Sequence, residues 1–263
     1  MSTPVDLKTY AARVGYDGEF APTLDVLRRL HFAHATHVPF ENIDVLLGRP
    51  IRLDLESLWQ KMVLDGRGGY CFEQNALFAA VLEAAGFRVR RHAARVRMGA
   101  SGVRPRTHML LLVEAAGEQW LCDVGFGADG LVHPVAFRPG AVTEQFAWKY
   151  RVVQEGAVYV LQGWRPEGWI DLYAFGLEPT YPIDYEVANC YTATHPNSIF
   201  RKMLRVQLPG PENTLLLINH TLTERTAGGV TETPVPEDKL LEVLASHFHL
   251  HFPPGTRFPI AES

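Results

Sequence analysis

Apolar residues change their spacing near residue 87, and the change divides the chain. Before it they recur three and four residues apart. Leu7, Tyr10, Ala11 and Val14 follow Asp6 and stop at Gly15, which predicts a capped helix. Leu24, Leu27 and Leu30 follow Thr23, and Leu55, Leu58, Trp59 and Met62 follow Asp54, predicting two more. A fourth helix opens at Cys71, with Phe78, Val81, Leu82 and Ala85 on one buried face and Gly86 as its stop. Between the second and third helices, His37–Asp44 contains Pro39. That stretch reads as a loop able to aim Phe40 and Glu41 at a site.

From Phe87 the texture becomes that of strands. Val89–Met98, Thr107–Glu114, Gln119–Val124, Lys149–Gln154, Ala157–Trp164 and Trp169–Phe175 are β-branched and apolar runs separated by Gly, Pro and Ser. Short strands so closely spaced predict a barrel or sandwich rather than alternating β and α units. Beyond about Asn189 come Ser198–Gln207, an apolar strand at Thr214–Ile218 and a closing helix. That helix starts at Pro236-Glu237-Asp238 and carries Leu240, Leu241, Leu244 and Phe248 on one face. The expected division is 1–86 helical, 87–189 β and 190–263 mixed, with no linker long enough to free a domain.

Composition adds limits. The 263 residues, 47% hydrophobic and 21% charged, can bury a substantial core. A net charge of −4 argues against general binding to nucleic acid or to an anionic membrane. Arg88, Arg90, Arg91, Arg95, Arg97, Arg104 and Arg106 form a local basic run, readable as a solvated strand face or as a phosphate-recognition surface. Three cysteines without zinc spacing make a disulfide framework improbable. The N-terminus reads as lacking a leader, and no apolar run nears the ~20 residues of a membrane span. A reduced, cytoplasmic protein is expected. His31, His34 and His37 drift around a helix and read as surface histidines rather than a metal site. The alternating His247, His249 and His251 likewise read as structural.

Three positions carry candidate chemistry. Cys71 follows Gly68 and Gly69 and sits at a helix start, where unpaired N–H groups favour a thiolate; the plain alternative is a small buried hydrophobe. The glycines are expected to supply backbone conformations that other residues resist. His108 opens one apolar strand, and Asp123 ends another before the turn Gly125-Phe126-Gly127. A carboxylate so placed costs several kcal/mol unless paired, and a buried histidine is its natural partner. Asp123 orienting His108, which takes the proton of Cys71, is triad logic. The competing reading leaves His108 and Asp123 in unrelated core hydrogen bonds. Cys122 points away from Asp123 by strand alternation and is expected in the core.

These motifs together resemble the arylamine N-acetyltransferases. Arg67-Gly-Gly-Tyr-Cys71-Phe-Glu-Gln-Asn75 is similar to that family's nucleophile motif, and Thr107-His108 and Cys122-Asp123-Val-Gly-Phe-Gly127 to its histidine and aspartate motifs, in the same order. Pro39-Phe40-Glu41-Asn42-Ile43 resembles its N-terminal signature, and Tyr185–Asn189 through His195–Ser198 the segment entering its third domain. The C-terminal stretch carries no diagnostic motif.

The resemblance implies an α+β fold: an N-terminal helical bundle, a central β-barrel and a C-terminal α/β lid, with a papain-like (cysteine protease-like) catalytic core. It implies Cys71, His108 and Asp123 as catalytic residues, Phe40, Val96 and Phe126 around the acceptor, and Gly127 near the CoA phosphates. It also implies acetyl-CoA as co-substrate, no metal, and a ping-pong reaction through acetyl-Cys71. The acceptor would be an arylamine, arylhydrazine or hydrazide, as in xenobiotic metabolism. The alternatives are an amide synthase closing an ansamycin-type macrolactam, a papain-like hydrolase, or a catalytically silent CoA-binding protein. Whether the chain forms a homo-oligomer is left open.

Overall fold

Helices give way to strands where the spacing changes. The computed structural model describes residues 5–127 and 130–260; Met1–Pro4, which carry part of the leader reading, lie outside them. The chain opens with α1 (Leu7–Val14) and α2 (Leu24–His37), capped as their sequences predict. Asp6 accepts from the Lys8 N–H at 3.0 Å, Thr23 accepts from the Val26 N–H at 3.3 Å, and Gly15 closes α1 at φ +67°.

The predicted loop at His37–Asp44 instead holds a strand, β1 (Phe40–Glu41), and one helical turn, α3 (Ile43–Leu46). Phe40 pairs with Gln207 and Glu41 with Val206, so the strand is created by a partner from the far end of the chain. Next, α4 (Leu55–Trp59) runs into a π-helical turn at Gln60–Leu64. Then comes α5 (Cys71–Ala84), whose first turn is buried on every side: Cys71, Phe72, Glu73, Gln74 and Asn75. A helix enclosed all round is a central element rather than a surface one.

Eight strands follow: β2 (Arg88–Val96), β3 (His108–Ala115), β4 (Glu118–Cys122), β5 (Val135–Ala136), β6 (Val142–Gln145), β7 (Trp148–Glu155), β8 (Val158–Arg165) and β9 (Gly168–Phe175). They form an antiparallel sheet in the order β5-β4-β3-β2-β9-β8-β7-β6, which curls into a nearly closed barrel. β3 explains the continuous apolar run Met109–Val113. Met109, Leu111 and Val113 pack into the helical core while Leu110 and Leu112 pack into the barrel core, so both of its faces are buried.

After the barrel, α6 (Pro182–Thr194) leads to β10 (Arg205–Pro209), β11 (Asn213–Ile218), β12 (Thr221–Thr226), β13 (Gly229–Pro234) and α7 (Leu240–Phe248). Here β1 joins β10–β13 in a five-stranded sheet. Ile43 and Leu46 of α3 share its core with Leu204, Val206, Leu217, Leu240, Leu244 and Phe248. The sequence predicts β11 and α7 only; β13 is exposed along its whole length, so its residues carry no apolar alternation. Among the described residues, no helix is long and apolar enough to cross a membrane.

Candidate active site

Helix α5 begins at Cys71 because its N-terminus is tied from two sides. Glu73 turns back to accept from the Tyr70 N–H at 3.0 Å, half of a capping box. Upstream, Gly69 accepts from the Glu41 N–H at 3.1 Å and from Gln74 Nε2 at 3.0 Å, locking the loop onto β1. The expected role of the glycines needs correcting. Neither Gly68 nor Gly69 adopts a positive φ; the constraint is space, since a Cβ at Gly68 would stand 1.9 Å from the Pro39 carbonyl oxygen. Gly125 serves similarly across the site, where a Cβ would lie 2.7 Å from the Cys71 Cα.

Buried charges brace the same loop. Arg67 donates to Glu41 through Nε at 3.0 Å and Nη2 at 2.6 Å, and Lys61 bridges Asp44 at 2.8 Å and Glu73 at 2.7 Å. Burial disfavours the Lys61 ammonium, but Glu73, Glu41 and Asp44 outweigh it and raise its pKa. Removing one partner of such a pair strands a charge and costs about 3–5 kcal/mol.

A cavity of about 360 Å³ opens beside this helix start. Cys71, His108, Phe40, Val96 and Phe126 all line it, with Thr107, Ser198 and Phe200. Asp123 lies outside the wall, fully buried. Gly127, at φ +78°, is also outside it and abuts the Phe40 ring. Cys71 is only 5% exposed, and its Sγ contacts the Thr107 carbonyl oxygen at 3.6 Å. His108 Nε2 meets Asp123 Oδ2 at 2.6 Å, which leaves Nδ1 as the ring nitrogen not engaged by the carboxylate. Phe126 stands edge-on to the imidazole at 5.1 Å, and Tyr173 lies 4.8 Å from it.

Burial alone would neutralise both members of the pair. For His108 the Asp123 carboxylate and the contact with Cys71 overcome it, and the pKa rises to about 10. For Asp123 burial is overcome by His108, Asn75 and the Gly125 N–H, and the carboxyl stays below its usual range. The pair is thus charged on both sides at neutral pH.

A pH dependence of stability follows. Because the His108 value is raised from 6.5 to about 10, its contribution is full below 6.5 and declines as pH rises towards 10. Because the Asp123 value is lowered from 3.8, its contribution is full above that value and declines as pH falls. Urea midpoints should show this contribution at its largest between about pH 4 and 6.5, with a decline on the alkaline side. A flat alkaline limb would mean that His108 is not held as a cation.

Some site residues escape sequence reasoning. Asn75, one turn below Cys71, donates Nδ2 to the Met109 carbonyl at 2.7 Å and to Asp123 Oδ1 at 2.9 Å, and accepts from the Val124 N–H at 3.1 Å. The available signal was a polar residue on the buried side of a helix start. The α2 histidines are a second correction. His31 and His34 are fully buried rather than on the helix surface, and only His37 is exposed. In the basic run, Arg88, Arg91 and Arg106 are paired with Glu114, Glu83 and Glu178, and Arg97 with both Asp171 and Glu155. Arg97 nevertheless lines the cavity, together with Arg104.

Known proteins share this arrangement of the chain. A family model described as N-acetyltransferase matches residues 23–255. An arylamine N-acetyltransferase from Escherichia coli (strain K12) is 40% identical over 232 residues, covering 88% of this chain and 82% of its own. Among solved structures, the arylamine N-acetyltransferase of Nocardia farcinica matches with a TM-score of 0.89 at 41% identity, over 95% of this chain and 90% of its own. That of Mycobacterium marinum, solved in complex with CoA, matches with a TM-score of 0.89 at 34% identity, over 93% and 92%. The fold is the expected α+β one with a papain-like core.

Proposed function

Since this chain belongs to the arylamine N-acetyltransferase family, we propose that it moves an acetyl group from acetyl-CoA to an arylamine, arylhydrazine or hydrazide nitrogen, through Cys71. The observation that carries the reading is a cysteine at a helix start in a cavity wall, against a buried histidine held 2.6 Å from a buried aspartate. In the first half-reaction Cys71, its proton already passed to His108, attacks the thioester carbonyl through Sγ. The C–S bond to CoA breaks, and the departing thiolate takes a proton from His108. The oxyanion forms beside the first N–H groups of α5, which the helix itself leaves unused.

In the second half-reaction the amine nitrogen attacks the acetyl-Cys71 carbonyl. His108 takes the nitrogen's proton, and Cys71 departs with the electrons of the broken C–S bond. A weakly basic aromatic amine is neutral at pH 7, so its lone pair is available. Phe40, Val96 and Phe126 offer apolar walls for an aromatic ring, and Phe126 also touches the imidazole that manages the protons. In this reading residues 1–86 carry the nucleophile, 87–189 the histidine and aspartate, and 190–263 the lid. The CoA complex of the Mycobacterium marinum protein supports a CoA donor. Three free cysteines suit a reducing, cytoplasmic setting.

Intact mass after mixing with acetyl-CoA alone tests the scheme. A gain of one acetyl group on Cys71, discharged by an added arylamine, is the expected result. No adduct on a freely reactive Cys71 would overturn acetyl-CoA as donor.

A further inference from the structure

The turn that carries Asp123 has no strand partner, because the β3–β4 ladder ends at Leu111 opposite Cys122. Its buried N–H groups need other acceptors. The Gly125 N–H bonds Asp123 Oδ1 at 3.0 Å and the Val124 N–H bonds Asn75 Oδ1 at 3.1 Å, both within the site. The Asp123 N–H reaches further, to Nε2 of His31 on α2 at 3.1 Å. We propose that His31 is a positioning residue for the Cys71–His108–Asp123 site, its Nε2 holding the Asp123 backbone where the carboxylate meets His108. The proposal rests on the acyl-transfer reading above.

An imidazole accepts a hydrogen bond only through an unprotonated nitrogen, so His31 must be neutral with its proton on Nδ1. Complete burial favours the neutral ring and lowers its pKa to about 3, and the Nδ1 that must carry the proton has no hydrogen-bond partner among the described residues. Phe78 meets the ring edge-to-face at 5.7 Å and fixes its plane. One helical turn later, His34 does the converse. Its Nε2 meets Gln74 Oε1 at 3.0 Å and its Nδ1 meets the Tyr10 hydroxyl at 2.7 Å, while Gln74 Nε2 donates to the Gly69 carbonyl. Helix α2 therefore grips both halves of the site: the Asp123 turn through His31, and the loop before Cys71 through His34. Without the His31 acceptor, the Asp123 N–H would be buried unpaired and the turn would move to satisfy it.

The test compares His31→Phe, which keeps a buried ring and removes the acceptor, with His31→Gln, which keeps an acceptor and removes the ring. A misplacement of about 1 Å costs up to about 10²-fold in rate, so His31→Phe should lower kcat by roughly tenfold to a hundredfold. Its KM for acetyl-CoA should stay within about twofold, and His31→Gln should regain most of the rate. Should His31→Phe not fold, His31→Met fills the same space without a strong acceptor and takes its place. Iodoacetamide labelling of Cys71 is run alongside, because it needs the activated thiol but no acetyl-CoA. It should slow in the acceptor-free variant and recover in His31→Gln, even if acetyl-CoA proves to be the wrong donor. Equal kcat and equal labelling in all folded variants, with only the melting temperature lowered, would overturn the proposal.

Discussion

Cys71→Ser should abolish acetyl transfer, lowering kcat by about 10⁴-fold or more, and leave the fold intact. The fold survives because serine is smaller, fits the same buried position and can donate to the Thr107 carbonyl that Sγ now contacts at 3.6 Å. The rate does not, because the proposed reaction needs a sulfur nucleophile. His108 is raised to about 10 by Asp123 and Cys71, so at neutral pH it is a cation with no free base for a reluctant hydroxyl. A serine alcohol has no accessible anion to pair with it. Rapid-quench measurement of the acetylated enzyme, with circular dichroism as the folding control, checks both halves. A serine variant retaining more than about a hundredth of the rate would remove Cys71 as the sole nucleophile.

The parts of this site that were legible in sequence are those set by local physics. Asp6, Thr23 and Gly15 mark helix ends because capping needs only neighbours in the chain. The His108 and Asp123 positions stand out because each sits at the end of an apolar run, and burial demands that such residues find partners. Features made by distant partners stayed hidden. β1 is two residues long and exists through Gln207 and Val206, so Pro39 argued for a loop. His31 and His34 looked like surface residues because a spacing of three drifts around a helix. His31 and His34 are instead fully buried, His31 Nε2 bonded to the Asp123 N–H and His34 to Gln74 and Tyr10. Gly68 was identified for the wrong reason: its missing side chain matters for a carbonyl 1.9 Å away, which no local pattern encodes.

Asp123→Asn should cost about 10⁴-fold in the rate of Cys71 acetylation, the scale seen when a triad carboxylate becomes an amide. The hydrogen bonds dictate how the new amide must sit. Oδ1 of Asp123 accepts from Asn75 Nδ2 and from the Gly125 N–H, so an asparagine must keep its oxygen there. Its NH₂ group then occupies the place of Oδ2 and points at His108 Nε2, now 2.6 Å from a carboxylate oxygen. Donor facing donor is not tolerated, so His108 must deprotonate Nε2 and carry its proton on Nδ1, towards the sulfur. That tautomer cannot accept the Cys71 proton. The alternative orientation would satisfy His108 but set an NH₂ against two N–H donors in a buried site, a cost of about 1–3 kcal/mol for each unsatisfied group.

Stability should shift with pH in the opposite sense to the wild type. Without the carboxylate, burial is the largest remaining influence on His108 and pushes its pKa down from 6.5. A lowered histidine value means that the unfolded state binds the proton more readily, so the variant loses stability as pH falls below about 6.5. Urea unfolding at pH 8 and pH 5 should therefore find a smaller stability difference from wild type at the first and a larger one at the second. A rate loss below about tenfold would make the carboxylate dispensable, whereas the full loss with an unchanged difference at the two pH values would confine Asp123 to setting the tautomer.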